Sequence, residues 1–420
     1  MTDADLLIVN AAEVVTCAGF SDAPARGADQ GVVRIVRDGA VAIAGDRILA
    51  VGASDRLRRE HRVSDDRVLD AAGGIVLPGF VDCHTHLVFA GDRAAEWEQR
   101  LAGKPYLDIL REGGGILSTV KKTRASAIGA LATNALRWAT TCMEHGTTTL
   151  EAKSGYCLDH DGELKLLEVA RAVASELPLE IVSTFLGAHV VPPEYQTRRE
   201  DYLALLEQLM VEVKERSLAE FVDVFCEKEA FTLAESERIL TRAKALGFGL
   251  KLHAEQFSAS GAAALGARLG ATSVDHLEHV DASAVAALAA AEEPPVGVLL
   301  PGVAFHLGQS EHAPARKLIE AGVPLAIATD FNPGSSFTPS LPMCIALACR
   351  TNKMTASEAV VACTINAAHA LGRGREIGSL EPGKRADVIV CDVPDHRWLG
   401  YAFGYNPVRA VVVDGERVFD

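Results

Sequence analysis

The sequence reads as an α/β protein: a (β/α)8 TIM barrel with a small discontinuous β-sandwich domain built from both termini. Three observations predict this. Apolar runs, most of them bounded by Gly or Pro, alternate eight times with stretches of helical period in the middle of the chain. Both ends read instead as β-hairpins. No G-x-G-x-x-G follows the first central run, so a closed barrel is favoured over an open dinucleotide-binding sheet.

The amino-terminal runs are Leu6 to Val9, Val32 to Val36, Val41 to Ala44 and Ile48 to Val51, with turn signals at Asp38-Gly39 and Gly45-Asp46. The eight central runs are Gly79 to His84, Thr147 to Glu151, Glu180 to Leu186, Phe221 to Cys226, Gly249 to His253, Ser273 to His276, Val296 to Leu300 and Pro324 to Thr329. Between them, Glu163 to Glu176, Tyr202 to Glu215 and Leu233 to Leu246 carry helical periodicity. Ala386 to Cys391 and Arg409 to Val413 return to strand language, and Asp414-Gly415 is a hairpin turn. The expected division is residues 1–76 and 377–420 for the small domain, and 77–376 for the barrel.

Composition narrows the function classes. At 420 residues, 49 % hydrophobic and 23 % charged, with 36 Gly and 17 Pro, the chain can bury a sizeable core and leaves little room for long disorder. A formal charge of -15 argues against nucleic acid or an anionic membrane as partner, since both reward clustered Lys and Arg. An anionic ligand would need a locally basic pocket. The segment MTDADLLIVN has no basic stretch ahead of its apolar residues, and the small-residue run around Ala287 is too short to span a bilayer, so a cytoplasmic protein is expected. Nine cysteines without a C-x-x-C pair read mostly as small buried hydrophobes.

A barrel of this kind builds its active site from the carboxyl ends of its strands. Read in order, those ends carry His84 and His86, Glu151 and Lys153, His189, Glu227 to Glu229, His253 and Glu255, His276 and His279, and Asp330. In His84-Thr85-His86 the two imidazoles leave an extended segment on the same side. A further His on the opposing strand and an Asp complete three nitrogens and one oxygen around a divalent ion. His84, His86, His253 and Asp330 are that set. His61, His145, His160, His306, His312, His369 and His396 fall at surface or helix positions with no partner visible in the sequence.

The segments Leu77-Pro78-Gly79-Phe80-Val81-Asp82-Cys83-His84-Thr85-His86 and Ser379-Leu380-Glu381-Pro382-Gly383-Lys384-Arg385-Ala386-Asp387 resemble the metal motif of the amidohydrolase superfamily and its return into the small β domain. Within that superfamily the chain is similar to the imidazolonepropionase family over essentially its whole length. Phe89 to Arg93, Gly113 to Ile116, Glu151 to Tyr156, Leu186 to His189 and Asp330 to Ser335 carry that similarity. The resemblance implies that 4-imidazolone-5-propanoate is opened by water to N-formimino-L-glutamate, a step of histidine degradation. It implies one divalent ion, Zn2+ or Fe, which brings the pKa of bound water towards about 7. A homodimer is a further implication, without an interface signature in the sequence.

On this reading Asp330 is ligand and proton acceptor, and His276 beside it hydrogen-bonds the attacking water or shuttles a proton. Arg93, just after the first barrel strand, offers a planar fork for the propanoate. Tyr156 and His189 contact the substrate by resemblance, and Asn332, Gly334 and Ser335 supply amide, backbone and hydroxyl contacts. The related deaminases carry a Glu three residues after the strand-five His; here that place is Gln256, which cannot be a general acid and is read as a ring-binding residue. Glu255, pointing to the other side, is read as structural. Cys157 replaces the Gly expected after Tyr156. Lys228 stands near the point where two-metal members carry a carboxylated Lys, although the resemblance is to a one-metal family. The competing readings are another cyclic-amide hydrolase, dihydroorotase-like or hydantoinase-like, and a non-catalytic barrel.

Overall fold

The computed structural model describes residues 2–104, 108 and 112–419. Eight parallel strands follow one another around one sheet: Phe80–Asp82, Thr147–Lys153, Glu180–Ala188, Phe221–Cys226, Gly249–Ala254, Ser273–His276, Val296–Leu299 and Leu325–Ile327. The first and last meet beyond their ladders through a Thr85–Phe331 bridge. There the Asp330 N–H donates to the His84 carbonyl (3.0 Å) and the His86 N–H to the Phe331 carbonyl (2.9 Å). The chain is a (β/α)8 barrel, and its seam closes at the residues that carry the H-x-H pair and Asp330.

The crossover helices form where the sequence places their period and their caps. His160–Glu176 is capped by Asp159, whose side chain accepts the Gly162 N–H, and it turns Leu164, Leu167, Val169, Ala170 and Val173 inward. Leu233–Ala245 starts in a capping box of Thr232 and Glu235. His160–Glu176 and Arg199–Glu215 begin three residues before the runs read from sequence, in polar residues that precede the apolar stripe, whereas the third helix begins at Leu233 as read.

The termini build a second sheet. Its order is Glu416–Phe419, Val408–Val413, Val388–Cys391, Ile75–Pro78, Leu6–Val15, Ile35–Ala44 and Arg47–Ala53, with Val68–Asp70 also paired to Leu6–Val15. One face gathers Ile8, Val41, Ile48, Val76, Val390 and Val412 into a single buried cluster. The sheet is curled, so that its two outlying hairpin turns touch: a Cβ added at Gly415 would lie 2.1 Å from the Gly45 carbonyl oxygen. Apart from a two-stranded ladder of Thr2–Asp3 with His61–Arg62, the small β domain is thus one strongly curled sheet drawn from both ends of the chain.

One expected turn is not a turn. Asp38-Gly39 lies inside the strand Ile35–Ala44, where Asp38 (φ 47°) faces a register shift between Ile8 and Ala11 and Asn10 is also left-handed. Glycine serves there for close approach, since a Cβ at 39 would come within 2.5 Å of Val14; the sheet absorbs the left-handed pair as a bulge. A second tertiary feature fixes the last barrel strand. Gln30 accepts the Leu325 N–H (3.0 Å) and donates to the Leu325 carbonyl (2.9 Å), and Asn366 donates to Gln30 (3.0 Å). These bonds pin the strand that leads to Asp330.

Candidate active site

The strand ends converge on one buried cluster. Atoms of His84, His86 and His253 lie within 4.8 Å of one another, as do atoms of His84, His276 and Asp330. His86 Nε2 is 3.3 Å and His84 Nε2 3.5 Å from Asp330 Oδ1. His84 Nε2 and Asp330 Oδ1 are buried and make no hydrogen bond. Burial, reinforced by neighbouring cations, pushes His84 and His86 well below the usual imidazole range and also lowers His253, so all three favour the neutral form that ligates a metal. Unpaired imidazole nitrogens facing an unpaired carboxylate oxygen are a donor set that a divalent cation satisfies. The residues present fit such an ion.

Local backbone shape turns these groups inward. In a strand Asp275 and His276 should face opposite sides. Asp275 faces the barrel interior, and His276 reaches the same site because it and Leu277 adopt left-handed φ values of 84° and 70°, ending the strand. Asp330 is left-handed too, at 48°. Such φ values are costly for non-glycine residues and persist where the surroundings fix them. Burial opposes protonation of His276, but Glu278, Asp330 and Asp275 outweigh it and raise its pKa.

Around this cluster stand the other expected residues. His189 stacks on His86 with ring centres 5.0 Å apart, and its Nδ1 pairs with the Gly155 carbonyl at 3.1 Å. Tyr156 packs 5.5 Å from His86 and 5.4 Å from His189. Its loop is held by the buried Glu163 carboxylate, which accepts the N–H groups of Gly155, Cys157 and Leu158 at 2.7–2.9 Å. Cys157 is accommodated by a glycine opposite it: a Cβ at Gly162 would be 2.4 Å from the Cys157 Cβ. Gln256 is buried and its side chain makes no hydrogen bond among the described residues. Glu255 faces away and accepts the Ala263 N–H (3.0 Å), and burial pushes its pKa up to about 7.

The turn after the last strand is self-contained. Asn332 Oδ1 accepts the Gly334 N–H (2.7 Å) and the Ser335 N–H (2.8 Å), while its Nδ2 donates to the Asp330 carbonyl (2.7 Å) and to Ser335 Oγ (2.9 Å). The Asn332 amide is therefore spent on the shape of the loop that presents Asp330. Gly334 has its own role: a Cβ there would fall 0.9 Å from Arg93 Nη2. The Arg93 guanidinium lies across Gly334, and its Nε is buried without a hydrogen bond.

Beneath the cluster lies an ionic layer that sequence reading had not assembled. His84 Nδ1 pairs with Asp275 Oδ2 (2.6 Å) and His253 Nδ1 lies 3.0 Å from Asp223 Oδ2. Lys153 Nζ is 2.8 Å from Asp223 and 3.0 Å from Glu151, and Lys251 is 3.2 Å from Glu151. All five charged side chains are fully buried. A signal was present: Lys251 falls two residues before His253, a charge on the inward face of a buried strand. Lys228, by contrast, is exposed on the loop after strand four, away from this layer. Several histidines that looked partnerless are paired by the fold. His396 Nδ1 is 2.8 Å from Glu13 and its Nε2 3.0 Å from Ser357 Oγ, while His369 meets the Phe20 carbonyl at 2.7 Å. Eight of the nine cysteines are buried and all are free.

Known proteins are similar to this chain in sequence and in fold. The model of the amidohydrolase family matches residues 75–418. The imidazolonepropionase of Chloroflexus aggregans is 45 % identical over 100 % of this chain and 99 % of its own length. That of Symbiobacterium thermophilum is 48 % identical over 100 % and 98 %. Among solved structures, an adenosine deaminase from Xanthomonas campestris with bound zinc is similar in fold. Its TM-score is 0.73 at 22 % identity, covering 100 % of this chain and 93 % of that one.

Proposed function

The chain belongs to the amidohydrolase family, and from that premise we propose that it hydrolyses 4-imidazolone-5-propanoate to N-formimino-L-glutamate, the imidazolonepropionase step of histidine degradation. One observation carries the reading: the likeness to imidazolonepropionases runs from end to end at 45 % and 48 % identity, so it takes in every segment that lines the site.

The residues divide the work as follows. His84, His86, His253 and Asp330 would hold one divalent ion, Zn2+ or Fe; when bound, such an ion supplies an acidified water and a Lewis acid for the ring carbonyl. The water oxygen bonds to the ring carbonyl carbon, the ring C–N bond breaks, and the departing nitrogen takes a proton. Asp330 accepts the proton lost by the water. His276, whose protonated form is favoured by Glu278 and Asp330, hydrogen-bonds the water and returns a proton to the leaving nitrogen. His189, whose Nδ1 donates to the Gly155 carbonyl, offers Nε2 as an acceptor to a ring N–H, and Tyr156 and Gln256 hold the ring. Arg93 binds the propanoate as a charge-assisted pair. Asn332 and Ser335 act at one remove, by shaping the turn that presents Asp330, and Gly334 by leaving room for Arg93.

The reading extends to a cytoplasmic setting, a homodimer, and a chain divided at residues 76 and 377. Among the described residues no helix is long and apolar enough to cross a membrane. The test is direct. Purified protein is mixed with freshly prepared imidazolonepropanoate and the ultraviolet band of the imidazolone is followed, with and without a chelator. Loss of the band that the chelator abolishes and added metal restores is expected; no turnover by metal-replete protein would overturn the proposal.

A further inference from the structure

We propose that Lys153 is the positioning residue of the metal centre: one buried ammonium holds both carboxylates that orient the ligand imidazoles. The inference rests on the metal set given above and goes beyond it to the layer beneath. Asp275 Oδ2 accepts from His84 Nδ1 at 2.6 Å and lies 3.6 Å from Lys153 Nζ. Asp223 Oδ2 lies 3.0 Å from His253 Nδ1 and 2.8 Å from Lys153 Nζ. In each carboxylate the same oxygen faces both the imidazole and the ammonium. Lys153 thus sits between two ligand-orienting pairs that come from different strands, and among the described residues it is the one lysine in contact with both carboxylates.

The consequence for metal binding is geometric and electrostatic. An imidazole whose Nδ1–H is held by a carboxylate has its tautomer and ring plane fixed, with Nε2 left free for a metal. A carboxylate can do this only if it does not rotate. Asp223, Asp275 and Glu151 are three anions in the barrel interior with two cations, Lys153 and Lys251, among them. Removing Lys153 leaves Asp223 and Asp275 without a lysine in contact, because Lys251 is bound to Glu151 (3.2 Å) and the Cys83 carbonyl (3.2 Å). Either carboxylate is then free to swing away, and the imidazole it held loses its orientation. Lys251 is the internal control: it is as deeply buried and as charged, but it touches neither Asp223 nor Asp275.

The experiment is a zinc titration of chelator-stripped full-length protein against a chromophoric competitor. Melting curves of the apo forms and the visible spectrum of the cobalt-loaded forms accompany it. K153M is expected to bind zinc about 10- to 100-fold more weakly than the parent and to show an altered cobalt spectrum. K251M is expected to stay within about threefold of the parent, even with a comparable loss of melting temperature. Equal weakening in K153M and K251M, or unchanged affinity in K153M, overturns the proposal. If K153M does not fold, D275N is compared with K153M/D275N, in which an anion leaves with the cation. A further loss of at least about tenfold in the double variant is expected, through Asp223, and equal affinities overturn the proposal. A parent protein that takes up no zinc overturns the metal-centre reading itself, which is a different result from any of these.

Discussion

Replacing Gly334 by alanine puts a methyl group where Arg93 keeps its guanidinium. The added Cβ would lie 0.9 Å from Nη2 and 1.9 Å from Cζ of Arg93, so the guanidinium must leave its place. The backbone does not resist the change, since Gly334 is not among the residues with positive φ. Its N–H bond to Asn332 can persist. The perturbation is therefore a displacement of one cation with the loop intact. A hydrogen bond to a charged group contributes about 1.5–3 kcal/mol. At about 1.4 kcal/mol per decade, losing one such bond to the propanoate raises KM about 10- to 150-fold. The imidazolone absorbance assay reads this directly, with kcat expected to change far less than KM because Arg93 binds a part of the substrate remote from the reacting carbon. A double-mutant cycle sharpens the test: in an R93A background G334A has no guanidinium to displace and is expected to be nearly silent. A G334A enzyme with the parent KM, or additive losses in the double variant, would refute the assignment of Arg93 to the carboxylate.

Three further outcomes are expected. H253A should lose most bound metal, while H276A should keep its metal and lose rate, as read by metal analysis beside the kinetics; equal metal loss in both would show that His276 is a ligand. E163A leaves three buried N–H groups at Gly155, Cys157 and Leu158 without an acceptor. It should cost about 3 kcal/mol or more in urea unfolding and raise KM through Tyr156; a neutral effect on both would show that the loop holds itself. Asp82 is fully buried, and burial raises its carboxyl to about 7 against the bonds from Thr329. The folded state therefore binds this proton more tightly than the unfolded state does, and stability owed to the group declines as pH rises from about 4 to about 7. D82N should flatten that slope in urea unfolding at successive pH values, and an unchanged slope would place its origin elsewhere.

The barrel was legible because its strands are short apolar runs punctuated by Gly and Pro, a pattern set by local sterics and burial. All eight runs became strands, and Phe221–Cys226 and Ser273–His276 keep the bounds read from sequence. Asp38-Gly39 misled because a left-handed pair can serve either a turn or a bulge, and the choice belongs to the neighbouring strand, here to Val14 and the shift between Ile8 and Ala11. The site was legible where a residue stands at a strand's carboxyl end, since parallel strands bring those ends together regardless of what lies between. His84 and Asp330 are an example, brought to 3.5 Å across the barrel seam.

By itself the sequence determined the closed barrel, the terminal sheet, the H-x-H pair and the strand ends on which His253, His276 and Asp330 stand. Each of these depends on residue type and spacing along one segment. Only the tertiary structure decided which polar groups pair in the interior. Asp275 reaches His84 across 191 residues of chain, and Asp223 and Lys153 meet across 70. Buried charges must be matched by whatever the fold brings within about 3 Å, and no local pattern states that distance.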